Sequence, residues 1–133
     1  MRSNRLARSR QISIACLSVL ALAGPLAQAQ PMAGFVGQWK VTWQGKKQAL
    51  EAQLELTEKG GSWRTLARNR FNPCIGMEAP VEFVETPTPT RLVLNLKFSV
   101  VQGCKDARVV LDRNDSGVVT GARGDTALTL EKR

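Results

Sequence analysis

Alternation of apolar and polar residues with a period of two is the strongest constraint in this sequence. From Arg91 to Val101 every second residue is apolar, and most of the residues between them are polar. This pattern predicts a β-strand with one row of side chains in a core and the other in solvent. The same alternation recurs at residues 39–43, 49–56 and 128–131.

Turn-forming residues separate the alternating stretches at regular intervals. Examples are Glu58-Lys59-Gly60-Gly61, the proline-rich residues 86–90 and Asn114-Asp115-Ser116-Gly117. Eight even strands with hairpin connections are typical of an all-β, antiparallel up-and-down barrel or of a sandwich, and we favour the barrel. We expect its strands at residues 36–43, 48–57, 62–69, 81–85, 91–101, 107–113, 117–122 and 125–131.

The first 29 residues have the three parts of a secretory signal peptide. Residues 1–10 carry four arginines and no acid, residues 12–27 carry no charge, and Ala27-Gln28-Ala29 offers small residues to a signal peptidase. We expect cleavage after Ala29, which leaves residues 30–133 as one β-barrel domain in the periplasm or outside the cell. Cys16 is interpreted as part of the apolar signal, so we expect no stable membrane anchor.

Two cysteines, Cys74 and Cys104, remain after this cleavage. An even number of cysteines in an exported chain is normally paired, because the compartment is oxidising. The spacing is not C-x-x-C, which favours a structural bond over a redox site. Closing a loop of about 30 residues contributes roughly 3–4 kcal/mol in the chain-entropy model.

The composition argues against several classes of function. There is no histidine, which removes Ser-His and Cys-His pairs and the commonest metal ligand. The 19 basic residues outnumber the 11 acidic ones, but four arginines lie in the signal segment, so the mature charge is about +4 and is dispersed. No two carboxylates are placed by spacing around a cleft. We expect no enzyme activity, no metal, no cofactor and no nucleic-acid partner.

Gly37-Gln38-Trp39, which opens the first predicted strand, resembles the G-x-W start of calycin barrels, the group that holds lipocalins and avidins. With residues 62–66 and 126–130 it also resembles the small periplasmic inhibitors of bacterial metalloproteases, which are eight-stranded and carry one disulfide. The resemblance implies that Trp39 closes one barrel end against a basic side chain, either Arg123 or Arg133. It also implies an inhibitory N-terminal segment, here the short residues 30–34, whereas the inhibitors' disulfide starts nearer the first strands.

The connection from Arg70 to Pro80 is the best candidate for a binding site. It is long for a hairpin loop and contains Cys74, and long ordered loops in compact domains are often functional. Apolar side chains with arginines beside them are typical of binding hot spots. The alternative is that these residues fold back and cap the barrel. The predicted binding residues are Arg68, Arg70, Phe71, Ile75 and Met77.

These observations predict an exported, monomeric binding module. We expect it to be inhibitor-like and to engage an envelope or secreted protein, such as a hydrolase or protease, through exposed loops. One alternative is a carrier of a small hydrophobic ligand, but Trp39, Trp43 and Trp63 are expected to fill the narrow interior of an eight-stranded barrel. The other alternative is a structural envelope protein without a discrete ligand.

Overall fold

The computed structural model describes residues 31–66 and 72–133, so the predicted signal segment lies outside the described residues. Neighbouring strands pair antiparallel in chain order, and β1 also pairs with β8, which closes the sheet into a barrel. The predicted all-β, eight-stranded up-and-down barrel is confirmed. The strands are β1 (Gly37–Gln44), β2 (Ala49–Thr57), β3 (Gly60–Thr65), β4 (Glu78–Phe83), β5 (Arg91–Leu96), β6 (Ala107–Arg113), β7 (Val119–Arg123) and β8 (Thr126–Lys132), and a 3-10 helix (Phe98–Val100) follows β5.

The barrel interior is packed with the chain's own side chains. Alternate residues of each strand point inward, so that Trp39 of β1 pairs with Leu54 of β2. At the inward position Gly121 of β7, an added Cβ would lie only 3.0 Å from a methyl carbon of Leu111. The largest fully buried side chains are those of Phe35, Trp63, Leu54, Leu56, Leu92, Leu94, Leu96 and Leu111.

Alternating strand direction gives the barrel two ends. The end that we call the disulfide end carries the connections at residues 45–48, 66–77, 97–106 and 124–125. The opposite end, which we call the N-terminal end, carries the segment 31–36 and the connections at residues 58–59, 84–90 and 114–118. Cys74 and Cys104 lie in two connections of the disulfide end and form the predicted bond, with their Cα atoms 5.6 Å apart.

Trp39 lies at the N-terminal end, where its indole N–H donates a hydrogen bond of 2.7 Å to the carbonyl of Phe35. The basic group over its ring is the Lys132 ammonium, 5.5 Å from the ring centroid. Naming Arg123 or Arg133 for this contact was wrong. Strand periodicity explains the difference: Lys132 shares the inward row of β8, Arg133 falls on the outward row and pairs with Glu51, and Arg123 lies at the other end.

The strand boundaries agree with the prediction to within two residues except in the middle of the chain, where β3 ends at Thr65 rather than at residue 69 and both β4 and β5 also differ. There β4 begins at Glu78 rather than at residue 81 and contains Pro80. The Pro80 carbonyl accepts a hydrogen bond from Lys97, which lies just beyond the end of β5. In a β-strand the N–H and the C=O of one residue point to the same side. The N–H that Pro80 lacks would therefore also face Lys97, beyond the end of β5, so its absence removes no hydrogen bond between β4 and β5.

The predicted strand 91–101 is also too long, because β5 ends at Leu96. The alternation of apolar residues continues to Val100, but the chain turns into the 3-10 helix instead. Asp106 stabilises this turn by accepting a hydrogen bond of 2.9 Å from the backbone N–H of Ser99. As a result Phe98 stays buried, while Val100 is 60% exposed rather than in the core.

Within the two described ranges, no helix is long and apolar enough to cross a membrane.

Candidate functional site

A cavity of about 290 Å³ opens at the disulfide end of the barrel. It is formed by side chains of four strands and of the two connections that the disulfide joins. One part of its wall is aromatic and aliphatic, and another part is cationic. We call this cavity the mouth, and its principal side chains are Trp43, Leu50, Ile75, Phe98, Lys105 and Arg123.

Two tryptophans give the mouth a rigid base. The ring centroids of Trp43 and Trp63 are 6.0 Å apart and their planes are tilted by 35°, within the range in which aromatic pairs attract each other. Trp63 is only 1% exposed, and its indole N–H donates to the buried Thr65 hydroxyl at 3.0 Å. Because the indole N–H of Trp63 has a hydrogen-bond partner, its burial leaves no unpaired donor. The Trp63 ring therefore supports Trp43 in the wall of the mouth.

Arg123 provides the charge of the mouth. It belongs to the inward row of β7, and its guanidinium carbon lies 5.8 Å from the ring centroid of Phe98. The residue as a whole stays accessible to solvent, but partial burial lowers the pKa of its guanidinium below the ordinary value. The Lys105 side chain lines the same cavity. The mouth therefore combines aromatic surface with positive charge.

The structure brings only part of the predicted binding site together. Ile75 is half-buried and lines the mouth beside Cys74. Met77 is also half-buried but packs against the core, as a capping loop would. Arg68, Arg70 and Phe71 lie outside the described residues.

The N-terminal segment does not share this site. Met32 is 4% exposed and Phe35 is fully buried at the N-terminal end, opposite the mouth. The N-terminal segment and the Cys74 loop therefore lie at opposite ends of the barrel and do not form one binding surface.

Two exposed apolar side chains lie in the connections of the disulfide end. Val100 is 60% exposed in the 97–106 connection, and Leu66 is 42% exposed where β3 ends. Both connections are tied by the Cys74–Cys104 bond, which restrains the chain between them. We call Leu66, Ile75 and Val100 the apolar rim.

A second cavity, of about 410 Å³, lies at the N-terminal end between residues 33–34 and 117–119. It includes Arg113, Val118 and Lys132. Trp39 beneath it is only 6% exposed, whereas Trp43 of the mouth is half-buried, so the mouth offers more aromatic surface. The mouth is therefore the better candidate for recognition.

Several carboxylates of the described residues form surface ion pairs. Glu78 contacts Arg64 at 3.2 Å, and Glu85 contacts Arg108 at 3.1 Å, with more than half of each glutamate side chain exposed. Both pairs lie on the solvent-exposed outside of the barrel. In residues 31–66 and 72–133, no three potential ligand side chains are grouped closely enough to hold a metal ion.

The loop that carries Val100 is fixed by Asp106. Its carboxylate accepts the Ser99 hydrogen bond and lies 3.6 Å from the Lys97 ammonium and 3.5 Å from the Asn95 amide nitrogen. Hydrogen bonding from Ser99, followed by the Lys97 charge, holds the pKa of Asp106 below its ordinary value of 3.8. The charged form is therefore the one that stabilises the loop.

We expect this loop to loosen only in strong acid. Because the pKa of Asp106 is lowered in the folded chain, its contribution is fully present above pH 3.8 and is lost as the pH falls through the lower folded value. In an NMR titration, the Ser99 amide resonance should shift with a midpoint below pH 3.8. The shift should vanish in Asp106→Asn. A midpoint at or above pH 3.8 would show that the hydrogen bond does not favour the carboxylate.

Sequence reasoning missed Trp43, Phe98, Lys105 and Arg123 as a group. They come from β1, β7 and the connection 97–106, and only the closed sheet brings these three segments together. The sequence did contain one signal. Strand direction alternates along the chain, so the last residue of β7 lies at the barrel end that holds both cysteines, and the alternation along β7 places Arg123 on its inward row.

Comparison of the chain with protein-family models, curated proteins and solved structures finds no match.

Proposed function

We propose that this chain is an exported, inhibitor-like binding module that engages another protein through the disulfide end of its barrel. The observation that carries the proposal is the apolar rim, which leaves Val100 and Leu66 exposed on connections tied by a disulfide. The mouth beside them combines Trp43 with Arg123, and tryptophan and arginine are among the residue types most enriched in binding hot spots. The chemistry of the mouth favours an envelope or secreted partner that presents an apolar, acidic surface.

Two further observations support this reading. The disulfide is consistent with an oxidising compartment outside the cytoplasm, as export by the segment 1–29 requires. The bond also limits the entropy that the two connections lose when a partner binds, because they are already restrained. An inhibitor of a secreted hydrolase or protease fits these features, and the resemblance at Gly37-Gln38-Trp39 supports the same class.

A filled interior argues against the alternative of a hydrophobic-ligand carrier. The inward side chains between the two ends are almost fully buried, and the mouth, at about 290 Å³, is at the lower limit of drug-sized pockets, roughly 300–1,000 Å³. If the chain carried such a ligand, added hydrophobes would quench tryptophan fluorescence. We expect no quenching beyond that of free tryptophan.

The test is affinity capture from periplasmic extract with the oxidised chain 30–133. Val100→Asp introduces a charge on the apolar rim, whereas Val118→Asp introduces the same charge at the N-terminal end, where Val118 is 52% exposed. We expect the unmodified chain to retain a partner, Val100→Asp to retain at least about tenfold less, and Val118→Asp to match the unmodified chain. Equal retention by both variants, or no retained protein at all, would contradict the proposal.

A further inference from the structure

Arg123 is a cation without an internal anion. Within residues 31–66 and 72–133, four other basic side chains form ion pairs, but no carboxylate lies within ion-pair distance of the Arg123 guanidinium. Residues 1–30 and 67–71 contain no aspartate or glutamate in the sequence. In the structure, therefore, no acidic side chain of this chain forms an ion pair with Arg123.

The position of Arg123 makes the missing anion significant. The Phe98 ring, whose centroid lies 5.8 Å from the guanidinium carbon, displaces part of the water around this group, although the residue as a whole stays accessible. Removing a charge from water is unfavourable unless an opposite charge or hydrogen bonds replace the lost hydration. An anion that enters the mouth would supply this compensation.

The rest of the mouth selects the kind of anion. Trp43, Phe98 and Ile75 form an apolar wall next to the guanidinium, and Lys105 adds a second positive charge. A fully hydrated inorganic anion gains nothing from such a wall. A carboxylate attached to a bulky apolar group satisfies both parts, because the guanidinium can hold two carboxylate oxygens while the apolar group packs on the aromatic rings.

We infer that the mouth binds a carboxylate next to a bulky apolar side chain, carried by a peptide segment of the partner protein. The carboxylate pairs with Arg123, and the apolar side chain packs against the half-buried ring of Trp43. This inference rests on the proposed function and specifies the anchor that the partner inserts. The apolar rim then contacts the partner around this anchor.

The test uses three short peptides and the oxidised chain 30–133, with tryptophan fluorescence and calorimetry as readouts. Acetyl-Gly-Gly-Phe presents a terminal carboxylate, its C-terminal amide presents none, and acetyl-Glu-Phe-amide presents a side-chain carboxylate. We expect one or both acids to bind on the order of 10- to 100-fold more tightly than the amide. Whichever acid binds identifies the source of the carboxylate. Equal binding of all three peptides, or binding of none, would overturn the inference.

Variants test the assigned residue. Arg123→Gln should abolish the preference for acid over amide, whereas Arg108→Gln, which removes an exposed arginine from the outer face, should leave it unchanged. The comparison of acid and amide on the unmodified chain holds even if Arg123→Gln does not fold. An undiminished preference in folded Arg123→Gln would overturn the inference.

Failure of this inference is distinguishable from failure of the proposed function. If Val100→Asp weakens partner capture while the peptides show no preference for acid, the disulfide end binds a partner without this anchor. If Val100→Asp and Val118→Asp capture equally, the proposed function itself is wrong.

Discussion

Replacing Trp63 with alanine should lower the free energy of unfolding by about 3–5 kcal/mol. Trp63 is 1% exposed, contacts Trp43 in an aromatic pair and donates a hydrogen bond to Thr65. Its removal leaves a cavity that the closed sheet cannot collapse to fill, and it leaves the Thr65 hydroxyl without its partner. Urea denaturation of the oxidised chain 30–133 measures the effect.

The matched control is Leu66→Ala, three residues further along the chain. Leu66 is 42% exposed, so its truncation should change the free energy of unfolding by about 0.5 kcal/mol or less. If the two variants were equally stable, Trp63 would not lie in a packed interior.

The second large effect is expected from the disulfide. Replacing both Cys74 and Cys104 with serine should lower the free energy of unfolding by about 3–4 kcal/mol, because the bond closes a loop with a sequence separation of 30. For a domain of this size the midpoint of thermal unfolding should fall by more than about 10 °C. Circular dichroism during heating measures this change.

Reduction of the unmodified chain serves as the independent check. A thiol reductant should lower the unfolding midpoint as much as the double substitution does, and should have no effect on the double variant. An unchanged midpoint after complete reduction would show that the bond between the two connections does not stabilise the barrel.

Alternation along the chain predicted the fold well because it is a property of each strand by itself. The row Leu92, Leu94 and Leu96 points inward as expected. The same rule failed at Val100, where the chain leaves the sheet. The cause is the hydrogen bond from Ser99 to Asp106, a contact that depends on the return path of the loop and has no periodic signature.

The candidate site was less predictable for a related reason. Ile75 was predicted because its loop interrupts the regular strand spacing, and the two cysteines because an even number in a chain with a predicted signal peptide is normally paired. Arg123 was assigned to the wrong barrel end, since its neighbours depend on strand register. Its actual neighbours, Phe98 and Trp43, come from a loop after β5 and from β1. A pocket shared by distant segments is defined only when the sheet is closed.

The most direct test of recognition at the disulfide end is site-specific photo-crosslinking in periplasmic extract. A photoreactive amino acid placed at Val100 or at Val118 samples the two barrel ends with side chains of similar exposure, 60% and 52%. On irradiation, the chain labelled at position 100 should form a discrete protein adduct, and the chain labelled at position 118 should not. An adduct from position 118 alone, or none from position 100, would contradict binding through the disulfide end.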